Sequence, residues 1–261
     1  MNKTAARVFD ILQMVANSAT PLSMADIRKE LDLPKSSTSD LVNSLVELEV
    51  LGFNADDANS LEPGIRFFEL ASKFVNNNRL LPVARNNMAA LVRDTGQSAF
   101  LTVFDGSRVM FLEKIDPPGR LQSHYSPGEI VPLHASASGK AVLATKDERT
   151  VRQLLGTEPL EKFSSKTITS FAPLFTDLEA SRARKYTIEN KERDDYLIAV
   201  GAPIRQYDGN VIAAVSSVNA GDSNAGDRVN EVGPLIYATA MRISRFLGYT
   251  SKDTFEQAKA F

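Results

Sequence analysis

Residues 22–53 read LSMADIRKELDLPKSSTSDLVNSLVELEVLGF, and no other stretch limits the fold so tightly. Apolar residues recur at helical spacing on both sides of Pro34. Proline cannot donate a helical hydrogen bond, and it pushes the residue before it out of helical geometry. The stretch therefore predicts two short helices joined by a tight turn. Ser23 followed by Asp26 has the form of a capping pair for a helix over roughly 24–31. Ser36 is placed to cap the next helix, which runs to about Leu48 with Leu41, Val42, Leu45 and Leu48 on its buried side. Ser37, Ser39, Asp40 and Asn43 then lie on the opposite side. A unit of this kind can set its second helix into the major groove of DNA.

The flanks suit such a unit. Residues 5–16 carry Val8, Phe9, Ile11, Leu12 and Val15 at helical spacing, with Thr4 as the expected N-cap. Residues 17–21 read as a loop, and residues 52–64 have the turn chemistry of a small hairpin, or wing. Helical spacing returns at 65–75, and the asparagine run at 76–78 marks a boundary. The predicted division is 1–64 for a winged helix-turn-helix, 65–78 for a linker helix and 79–261 for a second domain.

Beyond that boundary a long helix is expected over 79–96, with Pro82 in its first turn, where its missing N–H costs little. SAFLTVFDG and SRVMFLEKI are strand-like runs joined through Asp105-Gly106, a hairpin signal. RLQSHYSPG and EIVPLHAS continue the strand pattern, and SGKAVLATK, DERTVRQLLG and residues 174–186 read as helices. A second hairpin turns at Asp208-Gly209, and a last helix spans about 227–247. The fold class is α+β with a mainly antiparallel sheet.

Composition excludes several functions. There is no cysteine, so disulfides, thiolate nucleophiles and thiolate metal ligands are absent together, which suits a reducing cytoplasm. With only two histidines, His124 and His134, no dedicated zinc site is expected, and no cofactor either. No apolar run approaches the ~20 residues needed to cross a bilayer, and MNKTAARVFD lacks the apolar core of a secretory signal. A membrane role is not expected. Charge argues against the favoured reading. Residues 1–60 hold five bases against nine acids, whereas DNA-binding proteins gain much of their affinity by neutralising phosphates. Few, well-placed bases, or an oligomer, would have to suffice.

Three segments converge on one family. Residues 26–48 carry D-I-x-x-E-L-D-L-P-K-S followed by Leu41-Val42 and L-V-E-L at 45–48. Residues 134–144 read HASASGKAVLA, and residues 202–209 read APIRQYDG before V-I-A-A-V-S at 211–216. In this order and spacing they resemble the IclR family of bacterial transcription regulators, over about 4–247. The resemblance implies a winged helix-turn-helix, a linker helix, a GAF-like effector domain, dimers that often pair into tetramers, and a small organic acid as effector. It also exposes departures. Ser39 and Asp40 stand where members commonly carry an aromatic or histidine and then an arginine, and Glu49 replaces the glycine that usually ends the recognition helix.

The expected contacts to a double-stranded operator are Lys35, Ser36 and Ser37 on phosphates and Ser39 and Asn43 on base edges; Asn43 can pair with adenine. The expected effector site centres on Ala137, Ser138 and Gly139, where a strand gives way to a helix whose first N–H groups point outward and favour a carboxylate. Gly139 is expected to let the ligand approach the backbone, and Lys140 either adds charge or faces solvent. Carried over from the family, Glu189, Ala199 and Ser216 line the pocket, and Val218 stands where relatives have a second serine. Loss of a thiol and a hydroxyl would make the cavity more apolar. His134 is read as structural. An enzyme is not expected: Ser138 and Lys140 have no oriented third group, GxSxG is absent, and S-G-K-A lacks the first glycine and the Ser/Thr of a P-loop. The rival reading is a ligand-binding module that has lost DNA binding and acts through protein contacts.

Overall fold

A computed structural model describes residues 2–77, 79–119, 125–220 and 225–255. The chain divides into two compact units, residues 1–78 and 79–261.

The first unit contains α1 (Lys3–Asn17), β1 (Leu22–Ser23), α2 (Met24–Glu30), α3 (Lys35–Glu47), β2 (Leu51–Phe53), β3 (Ser60–Pro63) and α4 (Ile65–Asn77). Its strands form an antiparallel sheet ordered β1-β3-β2. Ile11, Val15, Ile27, Leu33, Val42, Leu45, Leu51 and Leu61 build its core. The capping pair is present: Ser23 Oγ accepts from Asp26 N, and Asp26 returns a bond to Ser23 N.

Two caps lie elsewhere than the sequence suggests. Asn2, not Thr4, caps α1, its Oδ1 accepting from the N–H groups of Thr4 and Ala5. The α3 helix starts at Lys35 with Pro34 at the cap position and no side-chain cap, so Ser36 lies inside the helix. The buried stripe is Thr38, Val42 and Leu45. Thr38 hands its hydroxyl to Pro34 O at 3.1 Å. Leu48, expected inside, is 50% exposed because the stripe has ended there. Phe9 also faces outward on α1.

The helix closes with Glu49 N donating to Val46 O and Val50 N donating to Leu45 O, the paired bonds of a Schellman ending. That motif puts the residue between them in left-handed conformation, and Glu49 adopts φ 58°. Glycine would reach this conformation without strain. The departure at Glu49 is thus a strained residue at an otherwise ordinary helix end.

The second unit contains α5 (Leu80–Thr95), β4 (Ser98–Phe104), β5 (Val109–Ile115), β6 (Ile130–Val131), α6 (Ala137–Leu143), α7 (Glu148–Leu155), α8 (Phe171–Arg184), β7 (Thr187–Asn190), β8 (Leu197–Arg205), β9 (Val211–Ala220) and α9 (Ala225–Phe246). The strands form one antiparallel sheet ordered β6-β5-β4-β9-β8-β7. Both expected hairpins are present, and β4 pairing with β9 joins them.

Three details differ from the sequence reading. The run 129–136 yields only the two-residue β6 before bending, residues 120–124 of RLQSHYSPG lie outside the described residues, and 125–128 are a loop. The α8 helix starts at Phe171, ahead of the expected 174. The β7 strand, TIEN, has no apolar run to announce it.

Candidate functional site

In the first unit the outer face of α3 is open. Lys35, Ser36, Asp40 and Asn43 are exposed, and Ser37 and Ser39 are half-buried. Arg28, from the end of α2, joins Lys35, Thr38 and Ser39 around one recess. Sequence reading missed Arg28 as a contact. Its signal was its place in the last helical turn before the tight turn, beside the start of α3. Two cations beside exposed hydroxyls can hold phosphates, while Asn43 and Asp40 can reach base edges. The wing adds no cation, since residues 50–65 contain no Lys or Arg. Its Asp57 is occupied by Ser60 Oγ at 2.6 Å and Asn59 N at 3.0 Å.

In the second unit the sheet register builds a floor. Glu189 on β7 faces Ala199 on β8, which faces Val218 on β9. One step along, Gly201 faces Ser216. The α6 helix lies on this floor because Gly201 carries no side chain, and the bare Gly139 admits the Leu133 backbone on its other side. A Cβ on Gly201 would come within 2.8 Å of Ala137 O, and one on Gly139 within 2.4 Å of Leu133 O. Thr187 Oγ1 fixes the approach by donating to Ala137 O at 2.7 Å. Ser136 caps the helix, its Oγ accepting from Gly139 N at 3.0 Å. The N–H groups of Ala137 and Ser138 have no partner among the described residues.

A cavity of about 30 Å³ opens between this helix start and the floor. Ala137, Ser138, Glu189, Ala199 and Ser216 all line it, together with Val218. Ser138 Oγ donates to Ser216 Oγ at 3.0 Å. Two expectations fail. Gly139 is not on the cavity wall; its missing side chain makes room for the Leu133 backbone, not for a ligand. Lys140 neither reaches the cavity nor faces solvent. It is 0% exposed, with its ammonium 2.7 Å from Glu192 Oε1 and 2.9 Å from Asp177 Oδ2. His134 holds the carbonyl of Glu161 through Nε2 at 2.8 Å, a structural bond.

Glu189 is buried and uses Oε1 to accept the N–H groups of Glu192 at 2.5 Å and Arg193 at 3.1 Å. Burial pushes its carboxyl up to about 7; the two N–H donors and Lys140 oppose the shift, and the Glu192 charge reinforces it. Sequence reading missed Phe111, Tyr125, Arg193 and Leu197, which complete the wall. Phe111 and Tyr125 stack at 5.6 Å, and the Arg193 guanidinium lies 4.3 Å from the Tyr125 ring centre. No spacing in the sequence ties those four to the floor.

Among the described residues no cluster could hold a metal ion, and no helix is long and apolar enough to cross a membrane. The arrangement offers two unpaired N–H groups, two hydroxyls, a buried acid and one guanidinium around a partly open cleft, a set suited to binding a small polar molecule.

Comparison with known proteins agrees with both halves. Residues 4–54 match the family model of the IclR helix-turn-helix domain, and residues 72–245 match that of the bacterial transcriptional regulator IclR C-terminal domain. The chain is 26% identical over 249 residues to the HTH-type transcriptional regulator KipR of Bacillus subtilis, covering 95% of this chain and 98% of that protein. It is 31% identical over 212 residues to the HTH-type transcriptional regulator BhcR of Paracoccus denitrificans, covering 80% and 75%. Its fold is similar to that of an IclR homologue from Microbacterium hydrocarbonoxydans complexed with 4-hydroxybenzoate, at TM-score 0.80 and 24% identity, covering 94% and 99%.

Proposed function

Because this chain belongs to the IclR family of bacterial transcriptional regulators, we propose that it binds a specific DNA operator with an affinity set by a small organic acid in the cavity under α6. One observation carries the reading. Ala137 and Ser138, whose N–H groups have no partner among the described residues, line one cavity with Ser216, in a chain whose recognition helix presents an open face. Unpaired N–H groups at a helix start favour a carboxylate. A homologue of similar fold is complexed with 4-hydroxybenzoate, which supports an organic acid as ligand. Lys35, Ser36, Ser37 and Arg28 serve phosphates, and Ser39 and Asn43 serve bases. The chain acts by binding rather than catalysis, in the cytoplasm where its DNA lies.

Gel shifts on the chain's own upstream region, read across salt, test this. With Arg28 and Lys35 from each of two copies on phosphates, log affinity against log salt should fall with a slope of roughly −4. The acidity of residues 1–60 favours a second reading, a module acting through protein contacts. Absence of specific binding at low salt by a folded oligomer would support that module instead.

Two copies are part of the proposal. Ile65 and Phe68, one helical turn apart on α4, are 71% and 69% exposed. An apolar pair of this kind, beside a DNA reader with few bases, fits burial against a second copy. Phe68→Glu should shift the protein toward monomer in sedimentation and weaken operator binding by about tenfold, a loss of about 1.4 kcal/mol. An unchanged oligomer with unchanged affinity would remove α4 from the interface.

A further inference from the structure

The cavity has one base in its wall among the described residues, Arg193. A carboxylate entering a largely buried cleft loses part of its hydration and is favoured by a countercharge. Glu189 cannot supply one, being an acid itself. Arg193 already holds a carboxylate: its Nη2 pairs with Glu129 Oε1. The partners differ in what separation would cost them. Glu129 is 36% exposed and can return to water, whereas Arg193 is 18% exposed and cannot be left unpaired as cheaply.

The two segments that meet here are also unequal. Arg193 belongs to a turn held by Glu189 beneath its N–H groups, by Glu192 on Lys140, and by Thr167 Oγ1 on Glu192 O at 2.6 Å. Among the described residues the side-chain links from 125–129 to this turn include Arg193 with Glu129, Arg193 over the Tyr125 ring, and Tyr125 OH on Asp194. The first two depend on Arg193. A cavity of about 30 Å³ has room for roughly one or two waters, so a ligand must enlarge it. The links that hold residues 125–129 against the turn are those a competing carboxylate would loosen.

We propose that Arg193 is the carboxylate receptor of this cavity, that Glu129 occupies it in the free chain, and that a small organic acid binds by displacing Glu129. This rests on the effector-site reading above. Exchange turns ligand charge into release of the Glu129 side chain from Arg193, while the backbone of Gly128 and Glu129 stays bonded to Phe111, so an uncharged analogue of the same shape would not release that side chain.

Calorimetric titration of the full chain tests the exchange with acetate, pyruvate, benzoate and 4-hydroxybenzoate, each beside its primary amide. In Glu129→Gln the competitor is weakened, and the best carboxylate should bind about three- to tenfold tighter. In Arg193→Gln that carboxylate should bind at least about tenfold more weakly while its amide is unaffected, with Arg193→Lys between the two. Circular dichroism confirms folding, and Glu129→Gln, at the exposed partner, keeps the test valid if Arg193→Gln fails to fold. Carboxylate binding unchanged in both Glu129→Gln and Arg193→Gln overturns the exchange while leaving the effector site standing. Binding of no probe by either the unsubstituted chain or Glu129→Gln overturns the site and the exchange together.

Discussion

Lys140→Met should destabilise the C-terminal unit by about 3–5 kcal/mol, the loss found when one partner of a buried ion pair is removed. The substitution keeps length and volume, so packing changes little and the loss is electrostatic. Glu192 and Asp177 would both lose the ammonium that faces them at 2.7 and 2.9 Å. Neither has much in reserve. Glu192 Oε2 has no hydrogen-bond partner, and Asp177 Oδ2 lies close to the ammonium but off the line of a hydrogen bond. Among the described residues Asp177 then retains Arg184, at 3.4 Å. Urea unfolding followed by circular dichroism would measure the loss, and a change below about 1 kcal/mol, the level of an exposed pair, would show that the pair contributes little. A second comparison separates charge from shape. Lys140→Met combined with Glu192→Gln removes both signs and should recover part of the loss.

The same cluster shows where sequence reading ends. Val42 and Leu45 were legible as core because a helix repeats its buried face every three to four residues. The hairpins at Asp105-Gly106 and Asp208-Gly209 were legible because turn chemistry is local. Lys140 was not, because its partners are 37 and 52 residues away and nothing in S-G-K-A distinguishes a buried ammonium from a solvated one. Gly139 was misread for a related reason. A glycine signals close approach, and only the fold says that the approaching group is the Leu133 backbone.

The floor of the cavity was reachable only through family resemblance. Ser138 meets Ser216 across 78 residues, and the polar strand TIEN that presents Glu189 has no periodicity to reveal it. Arg193 lies in a charged turn that reads as surface. Its position against Tyr125 is set by the bonds of the Glu189 carboxyl beneath that turn. Thr38 joins the buried stripe because it lies one turn before Val42, and Leu48 leaves it because the helix ends at Glu47.

Glu189→Gln should stabilise the chain at pH 8 by about 3 kcal/mol and leave it nearly unchanged at pH 4, given one pKa unit at 1.36 kcal/mol. The glutamine carbonyl can still accept from Glu192 N and Arg193 N, so the turn keeps its support. What disappears is the cost of a charge in a buried site. Burial raises this carboxyl from 4.5 to about 7. Below the unfolded value both states are protonated, and the native state loses nothing. Between 4.5 and about 7 the unfolded chain releases its proton while the folded chain retains it. The folded state binds more protons there, so stability falls as pH rises, and the contribution is gone above the folded value. The variant's advantage should therefore grow across this window and level off above it. An advantage that is flat with pH would mean that Glu189 titrates like an exposed acid, with the cavity open to water. An organic acid in the cavity adds negative charge beside Glu189 and should favour its protonated form further, so binding should take up protons near neutral pH. Calorimetry in buffers of different ionisation enthalpy reads that uptake directly, and in Glu189→Gln it should vanish.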